Sequence, residues 1–227
     1  MANESTTNNS ELKDFFVAHG SKVAIALAIV IAIVVGVVQY SDYRKNAVDA
    51  QAESLGTGMT YLYAGEKDSA LVEFESQMNA GKLEGVALAK AALYCANIKF
   101  ERGDFDAAAP LFKKALDNAG SAVLVRAAAM HGSAAVSIEK GEFAAAATLL
   151  EKFVSEFGKR TGDLEDRYQK DEPVDETPMV PDALWKLTLV YDKMGKKDDA
   201  VKMAERIVKV YGDNQMFADK AKKFLAK

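Results

Sequence analysis

The sequence predicts an all-α protein: a single N-terminal transmembrane helix, then a solenoid of stacked helical hairpins ended by a C-terminal capping helix. Three observations predict it. A turn glycine recurs at Gly65, Gly103, Gly141 and Gly195, spaced by 38, 38 and 54 residues. After each glycine, small and large residues follow at helical offsets: Ala70, Phe74 and Gln77; Ala108, Phe112 and Ala115; Ala146, Leu150 and Phe153; Ala200, Ala204 and Ile207. A small residue sits seven positions before each glycine: Gly58, Ala96, Ala134 and Thr188. A hairpin of two such helices cannot bury its own apolar face, so copies must stack. Pro is scarce, and three of the four prolines fall close together at 173, 178 and 181, which suits a helical chain with one irregular insert.

From the N-terminus, residues 1–22 begin with a polar stretch and form a tail, taken here as cytoplasmic. Val23 to Val38 is a run of sixteen uncharged residues. As a helix it is about 24 Å long and spans a bilayer core of ~30 Å once its flanks are counted. Lys22 suits one interface, and Tyr40 and Tyr43 the other. A cleaved signal peptide would have a shorter apolar run and a small-residue exit, whereas Gln39, Tyr40 and Asp42 stand here. The expectation is a retained anchor over 23–40. Lys13 and Lys22 before it balance Arg44 and Lys45 after it, so charge sets no orientation.

Residues 41–212 are expected to hold four repeats. Gly56 and Gly58, in the first helix, invite a phosphate-loop reading, but the spacing and preceding strand of such a loop are missing, and close helix packing explains them better. Pro110 falls several residues into the second helix of the second repeat and should kink it unless it lies within the first turn. An insert at 159–180 carries seven acidic residues and little apolar content, so a mobile acidic loop is expected there. Residues 213–227 form the capping helix, with Asp213 as its cap and Phe217, Ala221, Phe224 and Leu225 facing the array.

The net charge of −4 and the lack of a basic face argue against nucleic-acid binding. Two histidines and one cysteine, Cys95, leave almost no nucleophile–base pairing, and no catalytic or dinucleotide fingerprint is present, so the chain is expected to be no enzyme and to need no cofactor or metal. What remains is a membrane-tethered binding surface.

The repeat pattern resembles the tetratricopeptide repeat, a helix–turn–helix unit of ~34 residues. The resemblance implies a concave groove lined by the first helix of each unit. By position, Lys90, Leu93 and Asn97 line it from the second repeat, His131 from the third, and Trp185 and Leu189 from the fourth. For Trp185 and Leu189, packing between repeats is the equal alternative. The order of parts is similar to a bacterial family of inner-membrane tetratricopeptide proteins, ancillary subunits of the Sec translocon. It rests on Phe15-Phe16 through Gly20 and Lys22 into one apolar helix, then Gln39-Tyr40-Ser41-Asp42-Tyr43, then repeats. This family implies periplasmic repeats. It also implies two kinds of protein partner: translocon subunits and a membrane-anchored periplasmic prolyl-isomerase-like chaperone. The alternatives are a scaffold subunit of another envelope assembly or secretion machine, and a self-assembling homo-oligomer.

Overall fold

The computed structural model describes residues 33–40, 51–162 and 173–227. The chain divides into two compact units, Met1–Ala50 and Gln51–Lys227. In the first, residues 33–40 are helical, and Ile33, Val34, Val35, Val37 and Val38 are exposed. The rest of the expected anchor and the tail lie outside the described residues. Among the described residues, no helix is long and apolar enough to cross a membrane.

In the second unit every described element is a helix. Residues 51–63 form α1. Then come α2 (Lys67–Asn79), α3 (Gly85–Glu101), α4 (Phe105–Asn118), α5 (Val123–Glu139), α6 (Phe143–Phe157), α7 (Val180–Lys193), α8 (Lys197–Val210) and α9 (Gln215–Leu225). They pair as hairpins α1/α2, α3/α4, α5/α6 and α7/α8, each stacked on the next, with α9 on α8.

The turn glycines explain the hairpins. Gly65, Gly103, Gly141 and Gly195 all sit near φ +75°, a conformation a Cβ disfavours. In the second hairpin, Gly103 N donates to Phe100 O and Asp104 N to Lys99 O, at 2.9 and 3.0 Å. This pair of bonds satisfies the last carbonyls of α3 and reverses the chain. The 65, 141 and 195 turns repeat it. At the second turn Asp104 then caps α4 by accepting from Ala107 N.

The offsets expected from sequence are filled by buried side chains: Ala108, Phe112 and Ala115 on α4, Ala146, Leu150 and Phe153 on α6, Ala200, Ala204 and Ile207 on α8. Gly58, Ala96, Ala134 and Thr188 are buried on the first helices, and the Thr188 hydroxyl donates to Leu184 O at 2.9 Å. Cys95 is fully buried, and burial pushes its thiol up to about 12. Gly58 allows the close packing expected of it, since a Cβ there would lie 2.4 Å from the Phe74 ring. Gly56 has open space and no such role.

Charged side chains tie successive hairpins together. Lys67 pairs with Glu101, Asp68 with Arg102, and Asp106 with Lys140, each 34 residues apart. Each pair joins the start of a second helix to the end of the next first helix. At the third junction Ala144 replaces the acid. There the Tyr191 hydroxyl donates to Glu151 at 2.6 Å, and burial, with Glu151 beside it, raises the phenol's pKa.

Two expectations need revision, and a third, at Pro110, is met by a helix that continues past the proline. Pro110 is the sixth residue of α4, and the helix runs on to Asn118. The carbonyl it leaves unpaired, that of Asp106, belongs to an exposed residue that water can reach. The insert is tied down at both feet. Asp175 Oδ1 accepts from Lys159 N and Arg160 N at 2.8 and 2.9 Å, Glu176 N donates to Phe157 O at 3.0 Å, and Thr177 is buried. Mobility therefore does not extend over the whole of 159–180, and residues 163–172 lie outside the described residues. Finally, Asn214 rather than Asp213 is the cap of α9, and Leu225 is only partly covered, 37% exposed at the rim of the cleft with α7 and α8.

Candidate interaction groove

The first helices carry the candidate groove residues to two places. Asn97 on α3 and His131 on α5 meet in a cavity of about 340 Å³. Its floor is apolar, from Phe100, Phe112 and Ile138, and its rim adds Glu139 and Lys186. Trp185 on α7 and Leu189, one turn on, line a second cavity of about 560 Å³ shared with α8 and α9. The Trp185 ring stands edge-on to Phe224 with centroids 6.3 Å apart. Lys90 is exposed on α3 and lines neither cavity. Leu93 is 8% exposed and packs in the core with Ala92, Ala96 and Phe112, so it offers a ligand almost no surface.

His131 is held rather than free. Its Nε2 lies 2.7 Å from Asp182 Oδ2, and its ring centroid is 5.8 Å from that of Phe153. Lys186, one turn along α7, pairs with the same carboxylate. Burial by itself would raise the Asp182 pKa. Contacts from His131 and Lys186 outweigh it and hold the group at about 2. The carboxylate thus fixes α7 against α5 and sets the imidazole at the cavity wall.

Gly132 explains how the wall can be so close to the floor. A Cβ there would fall 2.2 Å from Phe112 Cε1, so only glycine lets this ring lie against α5. Sequence reading missed Gly132, Asp182 and Lys186. For the last two a signal existed: 182, 186 and 189 fall at i, i+4 and i+7 on one face of α7.

Chemically, the first cavity offers an amide that donates and accepts, an imidazole, an ammonium and a carboxylate around an apolar floor. Such a set suits peptide backbone and one apolar side chain. Among the described residues, no group of three or more His, Cys, Asp or Glu is placed to hold a metal ion.

The comparisons agree with this architecture. A family model described as a tetratricopeptide repeat-like domain matches residues 13–169, and a tetratricopeptide repeat model matches 182–214. Among solved structures, YrrB, described as a TPR protein with an unusual peptide-binding site, aligns at 16% identity over 77% of this chain and 75% of its own, with a TM-score of 0.56. A tetratricopeptide repeat protein from Parabacteroides merdae aligns at 15% identity over 70% of this chain and 53% of its own, with a TM-score of 0.53. MamA from Desulfovibrio magneticus RS-1 aligns at 16% identity over 70% of this chain and 75% of its own, with a TM-score of 0.52. At these identities the likeness is one of fold. A search of curated proteins finds no match. The chain belongs to the tetratricopeptide repeat-like domain family, whose fold generally serves as a non-catalytic scaffold for protein–protein interaction.

Proposed function

We propose that this scaffold works at the bacterial inner membrane as an ancillary subunit of the Sec translocon. The 23–40 segment is its anchor, and the repeats lie in the periplasm. In this reading the groove recruits a membrane-anchored prolyl-isomerase-like chaperone or an emerging chain to the translocon exit. The anchor acts by raising local concentration, with no chemical step. The observation that carries it is the Asn97–His131 cavity, a polar rim over an apolar floor, in an array preceded in sequence by sixteen uncharged residues. The tail-to-repeat order of Phe15-Phe16, Gly20, Lys22 and Gln39-Tyr40 adds the family resemblance.

The test is site-specific photocrosslinking in native membranes, with the crosslinker at Asn97 and at Lys90 of the full-length protein. Adducts with translocon subunits and a periplasmic chaperone are expected from Asn97. Adducts only with another envelope complex would replace the translocon by a different assembly or secretion machine. A protease-accessible array in vesicles of inverted membrane would refute the periplasmic placement.

A further inference from the structure

The cavity around Trp185 has a composition unlike the first. Its wall is apolar, and Leu189, Val201 and Leu225 are 41, 38 and 37% exposed. Around it stand Lys197, Lys220, Lys223 and Lys227, against one carboxylate, Asp192. Some exposed bases elsewhere in the array have acidic partners, as Lys67 with Glu101, Lys113 with Asp117 and Lys140 with Asp106, and others, such as Lys90, Lys114 and Lys152, stand singly; here four gather round one apolar wall. Among the described residues these four lysines have no carboxylate at ion-pair distance; Lys220 instead lies 5.1 Å over the Phe217 ring.

The opening follows from helix lengths. α9 packs on α8 as α5 packs on α4 and α7 on α6. It therefore stands where the first helix of a further hairpin would. It has 11 residues, against 17 in α3 and in α5. Against α9, Leu189 near the end of α7 and Val201 in the first turns of α8 keep part of their surface exposed.

We propose that the cleft between α7, α8 and α9 is a second docking site, and that its occupant is an acidic amphipathic helix of a partner protein. Large apolar side chains of that helix enter against Trp185, Leu189 and Val201. Its Asp and Glu side chains meet Lys220, Lys223 and Lys227, which among the described residues make no ion pair. A cavity of about 560 Å³ is within the range that buries a ligand's side chains. Its concavity favours an inserted helix over a flat lipid surface, which needs apolar groups standing proud. The inference uses neither the anchor nor the translocon and stands or falls apart from that reading.

Trp185 is the sole tryptophan, so its emission reports on this cleft alone. The experiment uses the full chain in non-ionic detergent. The probe is a synthetic helical peptide with Leu and Phe along one face and Glu along the other. Its twin carries Lys for Glu. The Glu peptide is expected to shift Trp185 emission to the blue, and the twin is expected to do nothing. Lys223→Glu combined with Lys227→Glu should weaken binding at least tenfold, as should raising the salt to about 0.5 M, where screening acts within ~4 Å. Leu189→Ser should weaken it without altering the circular dichroism. Equal binding of both peptides, or no effect of the charge reversals, would overturn the proposal. So would a Trp185 shift with phosphatidylglycerol nanodiscs, absent with phosphatidylcholine ones, when the Glu peptide gives none.

Discussion

Gly132→Ala is the most demanding single test of the packing. In most exposed helix interiors this change stabilises, by about 1 kcal/mol of helix propensity. Here the new Cβ would lie 2.2 Å from Phe112 Cε1, against an ordinary contact of at least 3.4 Å. The ring would have to recede by about 1.2 Å. It is 1% exposed and its ring centroid is 6.5 Å from that of Phe100, so receding towards the cavity it floors would give up its present packing. Overpacking of this kind costs about 1–3 kcal/mol. For an aromatic displaced by more than about 1 Å the upper part of that range applies, and the net loss is about 2 kcal/mol. For an array of this size the midpoint should fall by about 4–8 °C. The assay is thermal melting followed at 222 nm, with Gly56→Ala as the internal control. Gly56 meets nothing within 4 Å, so the same substitution should there raise the midpoint. Phe112→Leu should be costly alone and nearly neutral in the Gly132→Ala background, because the shorter side chain vacates the contact. An unchanged or raised midpoint for Gly132→Ala, or additivity in that cycle, would refute the claim that glycine is required at the cavity wall.

Three other outcomes follow from the structure. Asp182→Asn should lower stability by about 1–2 kcal/mol at neutral pH, since it removes the carboxylate shared by His131 and Lys186. Because the folded pKa of Asp182 is depressed from 3.8 to about 2, its contribution is complete above about pH 4 and is lost as the pH falls through 2; acid titration of the variant should show a shallower loss across that window. Deleting 163–172 should leave the melting midpoint within about 1 °C, whereas Asp175→Ala, which frees the Lys159 and Arg160 N–H groups, should cost about 1–2 kcal/mol by urea titration. Cys95, with its thiol pushed up to about 12 and no exposed surface, should react with a thiol reagent only as fast as the array opens, so native labelling should be slow and urea should accelerate it in step with unfolding.

The repeat architecture was legible because each of its determinants is local. Gly103 and its equivalents set the turns through φ, and Ala108, Phe112 and Ala115 share one helical stripe within eight residues. Periodicity of that kind survives in a single sequence. The groove was legible only in part. Asn97 and His131 do meet in one cavity, but Trp185 and Leu189 are carried to another by α9, and Leu93 falls on the buried side of α3. Which face a helix shows to its neighbour depends on crossing geometry, which offsets within one helix do not encode. The partnership of Asp182 with His131 joins residues from different hairpins, so no local pattern could announce it. The feet of the insert were missed for a similar reason. Asp175 and Thr177 look like two more polar residues in an acidic run, and only the fold brings Asp175 to the end of α6.

The ion pairs between hairpins do something other than add strength. They are exposed, and such pairs contribute little to stability. Their arrangement instead discriminates. Lys67 and Asp68 are neighbours of opposite sign, facing Glu101 and Arg102 in matching order. Rotating α3 by one residue in one sense would set Lys67 against Arg102, and in the other sense Asp68 against Glu101, like charge on like either way. Sliding it by one turn, about 5.4 Å, would separate both pairs. Ala-rich helices fit one another in many ways, because small side chains leave few knobs to forbid a slipped stacking. The charges supply that prohibition at the first two junctions, and they act as a key that rejects wrong alignments more than as a bond that holds the right one. At the third junction, where Ala144 offers no charge, alignment falls to the Tyr191–Glu151 contact and the His131–Asp182 pair.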